Sequence, residues 1–180
     1  MVKFSSYKKK IQQEGLAFDK QVHFRHKKGL IPDLRRLKKN YYFYNNPWRD
    51  PEFFKIQWMG IIQKILSIVN KKKQSKVLEI GCGTGFLSLE IARFGHQVTG
   101  IDVSKYSILE AKKYASKQIN KKIKKRLNYH ACDANEIMFE EKFDFLIFYR
   151  SLHHFANIPK LFKNLNKFTK RNCKIIVCEP

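Results

Sequence analysis

The chain lacks the long apolar runs of membrane proteins. No stretch of its 180 residues approaches the roughly 20 consecutive apolar residues that span a bilayer. The opening residues, Met-Val-Lys-Phe-Ser-Ser-Tyr-Lys-Lys-Lys, have no apolar core of the kind that a secretory signal peptide requires. We therefore expect a cytoplasmic protein with no membrane partner. A hydrophobic fraction of 43% over this length is sufficient for a sizeable globular core.

Cysteine is scarce and scattered. The four cysteines do not show the paired spacing of a zinc site, so we predict no metal. Cys82 falls in a glycine-rich turn, whereas Cys132, Cys173 and Cys178 lie on or beside predicted buried strands. This placement favours reduced thiols that act as small hydrophobic side chains, and it disfavours disulfides.

Acidic residues are also few, at 15 against 37 Lys and Arg, which gives a net charge of +22. So basic a surface attracts phosphates, and RNA is therefore one candidate substrate. Two basic clusters, Lys71-Lys-Lys73 and Lys121-Lys-Ile-Lys-Lys-Arg126, fall in predicted connections or at a helix end, where charge is usually solvated. No RNA-binding module accompanies them, so RNA remains the less favoured alternative.

Glycine is infrequent, but three of the eight glycines fall in one short turn. Lys76 to Ile80 reads as a buried strand, Gly81, Gly83 and Gly85 follow it, and apolar residues at helical spacing come next. Glycines in such a turn permit positive φ and let a ligand approach bare backbone at a helix start. A dinucleotide fingerprint would need glycine at position 86, where Phe stands, and no phosphate-loop Lys-Ser/Thr follows. The turn therefore predicts a site for a different cofactor.

Further strands end in acidic residues. Gln97 to Ile101 is a predicted strand that ends at Asp102, with Ser104 placed to cap a helix. The Asp102 carboxylate could bind both hydroxyls of a ribose or serve as a second helix cap, and the ribose role is favoured. Leu127 to Asn135 is a third strand that closes at Asp133.

The fourth and fifth strands complete an alternating pattern. Phe143 to Tyr149 is strongly apolar, as a central parallel strand should be. An amphipathic helix over Asn157 to Phe168 leads to a fifth strand, Cys173 to Cys178. Strands that alternate with helices predict the α/β class with a doubly wound parallel sheet, and ligands of such sheets bind outside the carboxyl ends of the strands.

From about Lys76 to Pro180 the chain resembles the class I S-adenosylmethionine-dependent methyltransferases. The acidic-x-Gly-x-Gly-x-Gly pattern of Glu79 to Gly85 resembles their first motif, and Ser151-Leu-His-His-Phe155 resembles the small-molecule branch that includes types 11, 12 and 25. The resemblance implies a Rossmann-like methyltransferase fold with S-adenosyl-L-methionine as cofactor. Asp133 would bind the adenine amino group and the Ala134 amide a ring nitrogen. The implied cofactor-binding residues are Glu79, Gly81, Cys82, Gly83, Gly85, Asp102, Val103, Asp133, Ala134, Tyr149 and Arg150.

The same resemblance implies methyl transfer to oxygen or carbon of a small-molecule acceptor. The Asn-Pro-Pro-Tyr type signature of amino-directed nucleic-acid enzymes is absent after the fourth strand, where Tyr149-Arg-Ser-Leu152 stands. His153 and His154 follow that strand, and a histidine that titrates near neutrality suits removal of a proton from the acceptor. We prefer His153 as this base. The alternative is an imidazole that bonds to backbone at a helix start.

Residues 1–70 lie outside the resemblance and are predicted to form an N-terminal helical extension to a cofactor-binding domain over residues 71–180. The aromatic stretch with Tyr41, Tyr42, Tyr44 and Trp48 is either a packed connector or a lid that excludes water. A helical stripe follows it and is expected to dock against the sheet. The stripe consists of Phe54, Trp58, Ile61, Ile62, Ile65 and Val69.

The resemblance implies seven strands, whereas the predicted strands stop at the fifth. Ile175 to Val177 should then form an exposed apolar edge, which natural proteins generally cover. We expect either a truncated product or an edge that the N-terminal extension or another chain covers. A catalytically silent module that binds S-adenosylmethionine is a further alternative to an active enzyme.

Overall fold

The computed structural model describes residues 2–27 and 51–179. The aromatic stretch from Tyr41 to Trp48, predicted to be either a packed connector or a lid, lies outside the described residues. The helices are α1 (Val2–Lys27), α2 (Pro51–Val69), α3 (Phe86–Arg93), α4 (Lys105–Ser116), α5 (Lys121–Lys125) and α6 (Ile158–Leu165). The strands are β1 (Lys76–Ile80), β2 (Gln97–Asp102), β3 (Leu127–Ala131), β4 (Phe143–Tyr149) and β5 (Thr169–Cys178). Short 3₁₀ turns span Leu152–His154 and Asn166–Phe168.

The strands form one parallel sheet in the order β3-β2-β1-β4-β5. Strand β4 is buried from Phe143 to Phe148, as its unbroken apolar sequence predicts for a central strand. The chain runs outward from β1 to β3 and then returns to the other side through β4. The predicted doubly wound α/β sheet is therefore confirmed, and the change of direction places the carboxyl ends of β1 and β4 side by side.

Helix α2 packs into the core of the sheet. Trp58, Ile62, Ile65 and Val69 are buried and Ile61 packs against them, which confirms the predicted docking for these five residues of the stripe. The side chain of Phe54 lies outside the described part of the chain. The Trp58 ring stacks on Phe86 with ring centroids 5.2 Å apart. Helix α6 closes the opposite face, where Leu161 and Leu165 are fully buried beside residues of β1 and β4. The proposed boundary near residue 70 stays a prediction, since α2 belongs to the same core as the sheet.

Two strand boundaries differ from prediction. Strand β3 ends at Ala131 and not at Asp133, because the Asp133 carboxylate accepts a hydrogen bond from the amide of Asn135 at 2.9 Å and turns the chain. Strand β5 begins at Thr169, earlier than Cys173, and its pairing with β4 is irregular between Phe143 and Phe145. The basic run from residue 121 forms a short helix, α5, which Asn120 caps.

Strand β5 lies at an edge of the described sheet. Its partner within residues 51–179 is β4, and the side chains of Ile175 and Val177 are 49% and 47% exposed. An exposed apolar edge therefore occurs where the sequence predicts one, and what covers it stays a prediction. Among the described helices, none is long and apolar enough to cross a membrane.

Candidate active site

A cleft of about 220 Å³ lies at the carboxyl ends of the strands. Its walls come from the ends of β1 and β2, the segments after β3 and β4, and helix α1. The cleft brings together eight residues that the sequence assigned to cofactor binding or catalysis. They are Gly81, Gly83, Asp102, Val103, Asp133, Ala134, Arg150 and His154. Its position matches the rule that ligands of doubly wound sheets bind where the strand order reverses.

The three glycines of the turn after β1 differ in the space around them. Gly81, Gly83 and Gly85 have φ values of 75°, 51° and 72°, a region that side chains disfavour. A Cβ on Gly81 would lie 2.4 Å from Cβ of Ser151, and one on Gly85 would lie 2.7 Å from the Tyr129 ring. A Cβ on Gly83 would meet nothing within 4 Å. Gly81 and Gly85 are therefore needed for packing, and Gly83 is where a ligand can reach the backbone.

Asp102 connects the end of β2 to that turn. Its two carboxylate oxygens accept hydrogen bonds from the amides of Gly83 and Ser104, each at 2.8 Å. The bond to Ser104 resembles the helix-cap alternative, whereas the bond to Gly83 joins the end of β2 to the glycine turn after β1. Burial raises the pKa of Asp102, and the two amides oppose this rise. Each oxygen still has a lone pair for a further donor, so the carboxylate fits the vicinal hydroxyls of a ribose.

The segment after β3 forms the neighbouring wall. Oδ1 of Asp133 accepts from both the backbone and the side-chain nitrogen of Asn135, each at 2.9 Å. The side chain of Asn164 on α6 donates to the carbonyl of Ala134 at 3.0 Å. These bonds hold a short loop against the cleft. A loop held in this way suits recognition of a flat, polar ring.

The segment after β4 carries the two histidines. Arg150 has a left-handed φ of 50°, and its amide donates to the carbonyl of Cys178 at 2.7 Å. The hydroxyl of Ser151 donates to the carbonyl of Ile80 at 2.6 Å. The 3₁₀ turn that follows places His154, but not His153, in the lining of the cleft. Geometry therefore favours His154, against the preference for His153 that we drew from the sequence.

Four predicted cofactor residues, Glu79, Cys82, Gly85 and Tyr149, do not line the cleft. Glu79 is buried, its carboxylate accepts a hydrogen bond from the Ser88 hydroxyl of α3, and burial raises its pKa to about 8. Cys82 is buried beneath the turn, where burial raises the pKa of its thiol. The Tyr149 ring packs against Trp58, with centroids 4.3 Å apart. In this structure the side chains of Glu79, Cys82 and Tyr149 pack against the turn and the core, on the side away from the cleft.

Helix α1 forms a wall that the sequence analysis missed. Ile11, Glu14, Phe18 and Val22 line the cleft. The helix backbone lies close to the segment after β2, since a Cβ on Gly15 would be 3.0 Å from the carbonyl oxygen of Val103. The spacing of Ile11, Phe18 and Val22 is the helical signal that could have indicated this face. Charged neighbours on the other faces of the helix obscured it.

Metal binding finds no support in the described ranges, 2–27 and 51–179. They contain no group of three or more His, Cys, Asp or Glu side chains that could hold an ion.

A parallel sheet in this order, with a three-glycine turn after β1 and an aspartate at the end of β2, is the arrangement expected of the class I S-adenosylmethionine-dependent methyltransferases. Residues 71–180 match the sequence model of a family described as "Methyltransferase domain", and the chain belongs to that family. The cofactor of this class is S-adenosyl-L-methionine. The glycine turn after β1 and the Asp102 carboxylate fit this cofactor, as described above.

Curated relatives point in the same direction. The chain is 35% identical over 109 residues to a ubiquinone biosynthesis O-methyltransferase of Pelagibacter ubique. The matched residues make up 61% of this chain and 43% of the relative. It is 32% identical over 112 residues to the enzyme of the same name from Rickettsia prowazekii. There the matched residues make up 62% of this chain and 42% of the relative. The chain thus spans less than half the length of these two relatives.

Solved structures share the fold. The glycopeptide N-methyltransferase MtfA complexed with S-adenosyl-L-methionine superposes with a TM-score of 0.57 at 14% identity, over 64% of this chain and 53% of MtfA. The [4+2]-cyclase SpnF superposes with a TM-score of 0.60 at 22% identity, over 66% of this chain and 43% of SpnF. Because one neighbour is named as a cyclase, the reaction must be argued from the site and not from the fold.

Proposed function

We propose that this protein transfers the methyl group of S-adenosyl-L-methionine to a hydroxyl oxygen of a small-molecule acceptor. The observation that carries the proposal is that one cleft is lined by Gly83 and Asp102, at the ends of β1 and β2, and by His154, which follows β4. The names of the relatives, O-methyltransferases of ubiquinone biosynthesis, support oxygen over carbon as the methylated atom. The sequence left both atoms open.

The cofactor side of the cleft would be held by the ends of three strands. Asp102 would accept hydrogen bonds from the ribose hydroxyls, and the bare backbone of Gly83 would lie against the cofactor. Asp133 and Ala134 would border the adenine. When bound, S-adenosyl-L-methionine supplies a methyl group that its sulfonium already activates, so the chain's main contribution is alignment.

His154 is the residue that we assign to proton removal. The imidazole of His154 would accept the hydroxyl proton of the acceptor when the acceptor oxygen takes up the methyl group. A positioned base of this kind contributes about 10²- to 10⁴-fold to the rate. The apolar side chains of Ile11, Phe18 and Val22 form the facing wall and would exclude water from the acceptor.

The first experiment measures cofactor binding by isothermal titration calorimetry. We expect the 180-residue chain to bind S-adenosylhomocysteine saturably. Asp102→Ala should weaken binding by about 10- to 100-fold, because it removes hydrogen bonds to a charged group. Glu136→Ala, which removes an exposed carboxylate from the segment after β3, is the matched control and should bind like wild type. A folded wild-type chain that binds no cofactor would contradict the proposal.

The second experiment measures transfer of labelled methyl groups to a simple catechol, 3,4-dihydroxybenzoate. His154→Gln should lower kcat by about 10²-fold or more with little change in cofactor affinity, whereas His153→Gln, whose ring does not line the cleft, should lower kcat by about tenfold at most. Cofactor binding without transfer to any small hydroxylated acceptor would favour the silent module. Loss of activity in His153→Gln alone would restore the preference that the sequence suggested.

RNA remains the alternative acceptor, supported by the net charge of +22. The lysines of helix α5 are exposed, but none lines the cleft. An RNA enzyme would transfer label to RNA and would bind it with a steep dependence on salt concentration. We also infer a cytoplasmic location, to which the four free cysteines are suited. That location is tested by fractionating cells that produce the tagged chain.

A further inference from the structure

Glu179 follows β5 directly and makes several bonds to the turn that carries the histidines. Its Oε1 accepts hydrogen bonds from the amides of Ser151 and Leu152, at 3.1 and 2.8 Å. Its Oε2 pairs with Nδ1 of His153. One carboxylate thus binds three consecutive residues of the loop, although it lies 26 to 28 positions away in the sequence.

The bonded turn leads directly to His154. The amide of His154 donates to the carbonyl of Ser151 at 3.1 Å, so the turn that Glu179 caps also fixes the His154 backbone. The rings of His153 and His154 are in contact, with centroids 4.0 Å apart. On the other side, the His154 ring meets Phe18 of α1 nearly perpendicularly, with centroids 5.2 Å apart.

We propose that Glu179 is a positioning residue that holds the His154 imidazole in the cleft, through the amides of the turn and through the ring of His153. Glu179 itself does not line the cleft, so it acts on His154 and not on the acceptor. The importance of this position rests on the proposed function of His154 as the base. The placement of the ring can be measured whether or not the chain is active.

Electrostatics agree with this arrangement. Partial burial disfavours the ionised form of Glu179, but the bonds from His153, Leu152 and Ser151 outweigh it and lower the pKa of the carboxyl group. Glu179 is therefore ionised over the working range of a histidine base. An ionised acceptor makes stronger hydrogen bonds to amides than a neutral one.

The rest of the loop also needs a specific anchor. Arg150 has the left-handed φ of 50° noted above, a conformation that costs free energy for a residue other than glycine. The amide of Arg150 bonds to Cys178, the residue just before Glu179. The end of β5 thus holds the loop at two successive positions, which can offset the strain at Arg150.

The experiment follows the His154 ring by NMR in the full 180-residue chain, labelled with ¹⁵N in its histidines. His154→Gln identifies the His154 signal by its disappearance. We expect Glu179→Ala to move the His154 signal to the position of a solvent-exposed histidine, because the ring leaves Phe18, while the melting temperature of the chain stays close to wild type. Glu140→Ala, which removes an exposed carboxylate, should leave the signal in place.

An unchanged His154 signal in folded Glu179→Ala would overturn the proposal. If Glu179→Ala does not fold, Glu179→Asp answers the same question, because it keeps the charge but withdraws the carboxylate from the amides. Where methyl transfer is measurable, Glu179→Ala should lower kcat by about tenfold and change the Kd for S-adenosylhomocysteine by less than about threefold. A displaced ring in a chain that methylates nothing would support the positioning function and contradict only the proposed reaction.

Discussion

The carboxylate of Asp19 on helix α1 accepts a hydrogen bond from the hydroxyl of Ser104 at 2.5 Å. Ser104 caps helix α4, and the same oxygen of Asp19 also accepts from the amide of Tyr106 at 3.1 Å. Helix α4 has no acidic residue in its own first turn, so Asp19 supplies the negative charge that a helix N-terminus favours. This contact fastens α1 to the start of α4, beside Asp102 in the wall of the cleft.

We predict that Asp19→Ala loosens α1 and weakens binding of S-adenosylhomocysteine by about 3- to 10-fold, consistent with loss of roughly 1 kcal/mol at a helix terminus. Hydrogen exchange of the α1 amides should become faster, while exchange in the sheet should not change. Lys20→Ala, at an exposed neighbouring position of the same helix, is the control. Unaltered α1 exchange in Asp19→Ala would mean that other contacts hold the helix.

Alanine substitutions at Gly81 and Gly83 should affect different properties, the stability of the fold at Gly81 and the affinity for the cofactor at Gly83. Gly81→Ala should destabilise the fold by several kcal/mol, because the new Cβ would be 2.4 Å from Cβ of Ser151 in addition to the strain of a positive φ. Gly83→Ala should cost only about 1–2 kcal/mol, the strain alone. It should nevertheless weaken binding of S-adenosylhomocysteine at least tenfold, because its Cβ would point into space that the cofactor needs.

Gly95→Ala is the matched control for Gly83→Ala. Gly95 also has a positive φ, of 99°, and open space around an added Cβ, but it does not line the cleft. Thermal melts and calorimetry on the three variants would test the distinction. Equal affinity of Gly83→Ala and Gly95→Ala for S-adenosylhomocysteine would contradict the proposal that the cofactor lies against Gly83.

Sequence patterns predicted the parts of the fold that are determined by neighbouring residues in the chain. The apolar run of β4 and the three glycines after β1 indicated a buried strand and a turn with positive φ, and both occur. The contact of Asp19 with Ser104 joins residues 85 positions apart, and no local pattern indicates such a pair. Glu179 pairs with His153 from 26 positions away, and no local pattern in the sequence indicates that contact either.

Glu79 should make the protein less stable as the pH rises. Its pKa in the folded chain is about 8, against an ordinary value of 4.5, because it is buried. The stability gained from the protonated group is complete below the ordinary pKa and is lost as pH rises towards 8. We expect the free energy of unfolding to fall by roughly 2–4 kcal/mol over this window relative to Glu79→Gln, which cannot ionise. Urea unfolding of both chains at several pH values measures the difference. Parallel pH profiles would show that Glu79 is ionised in the fold.

Asp144 should produce the opposite dependence at acid pH. Burial disfavours its ionised form, but the lysine side chains of Lys72 and Lys170 and the amide of Lys76 outweigh this and lower the pKa of Asp144 to about 2. The stabilisation is present above the ordinary pKa of 3.8 and is lost as pH falls through about 2. Both lysine side chains are largely exposed, so we expect only about 1–2 kcal/mol.

Asp144→Asn should therefore be less stable than wild type at pH 6 by that amount, and the two stabilities should converge towards pH 2. Urea unfolding of the two chains between pH 2 and pH 6 measures this difference. Glu141 pairs with Lys76 nearby, but both side chains are about one-third exposed, so Glu141→Gln is the control and should change stability little. A wild-type chain that keeps its full advantage over Asp144→Asn at pH 2 would show that the Asn side chain disturbs the ends of β1 and β4 by its shape and not by its missing charge.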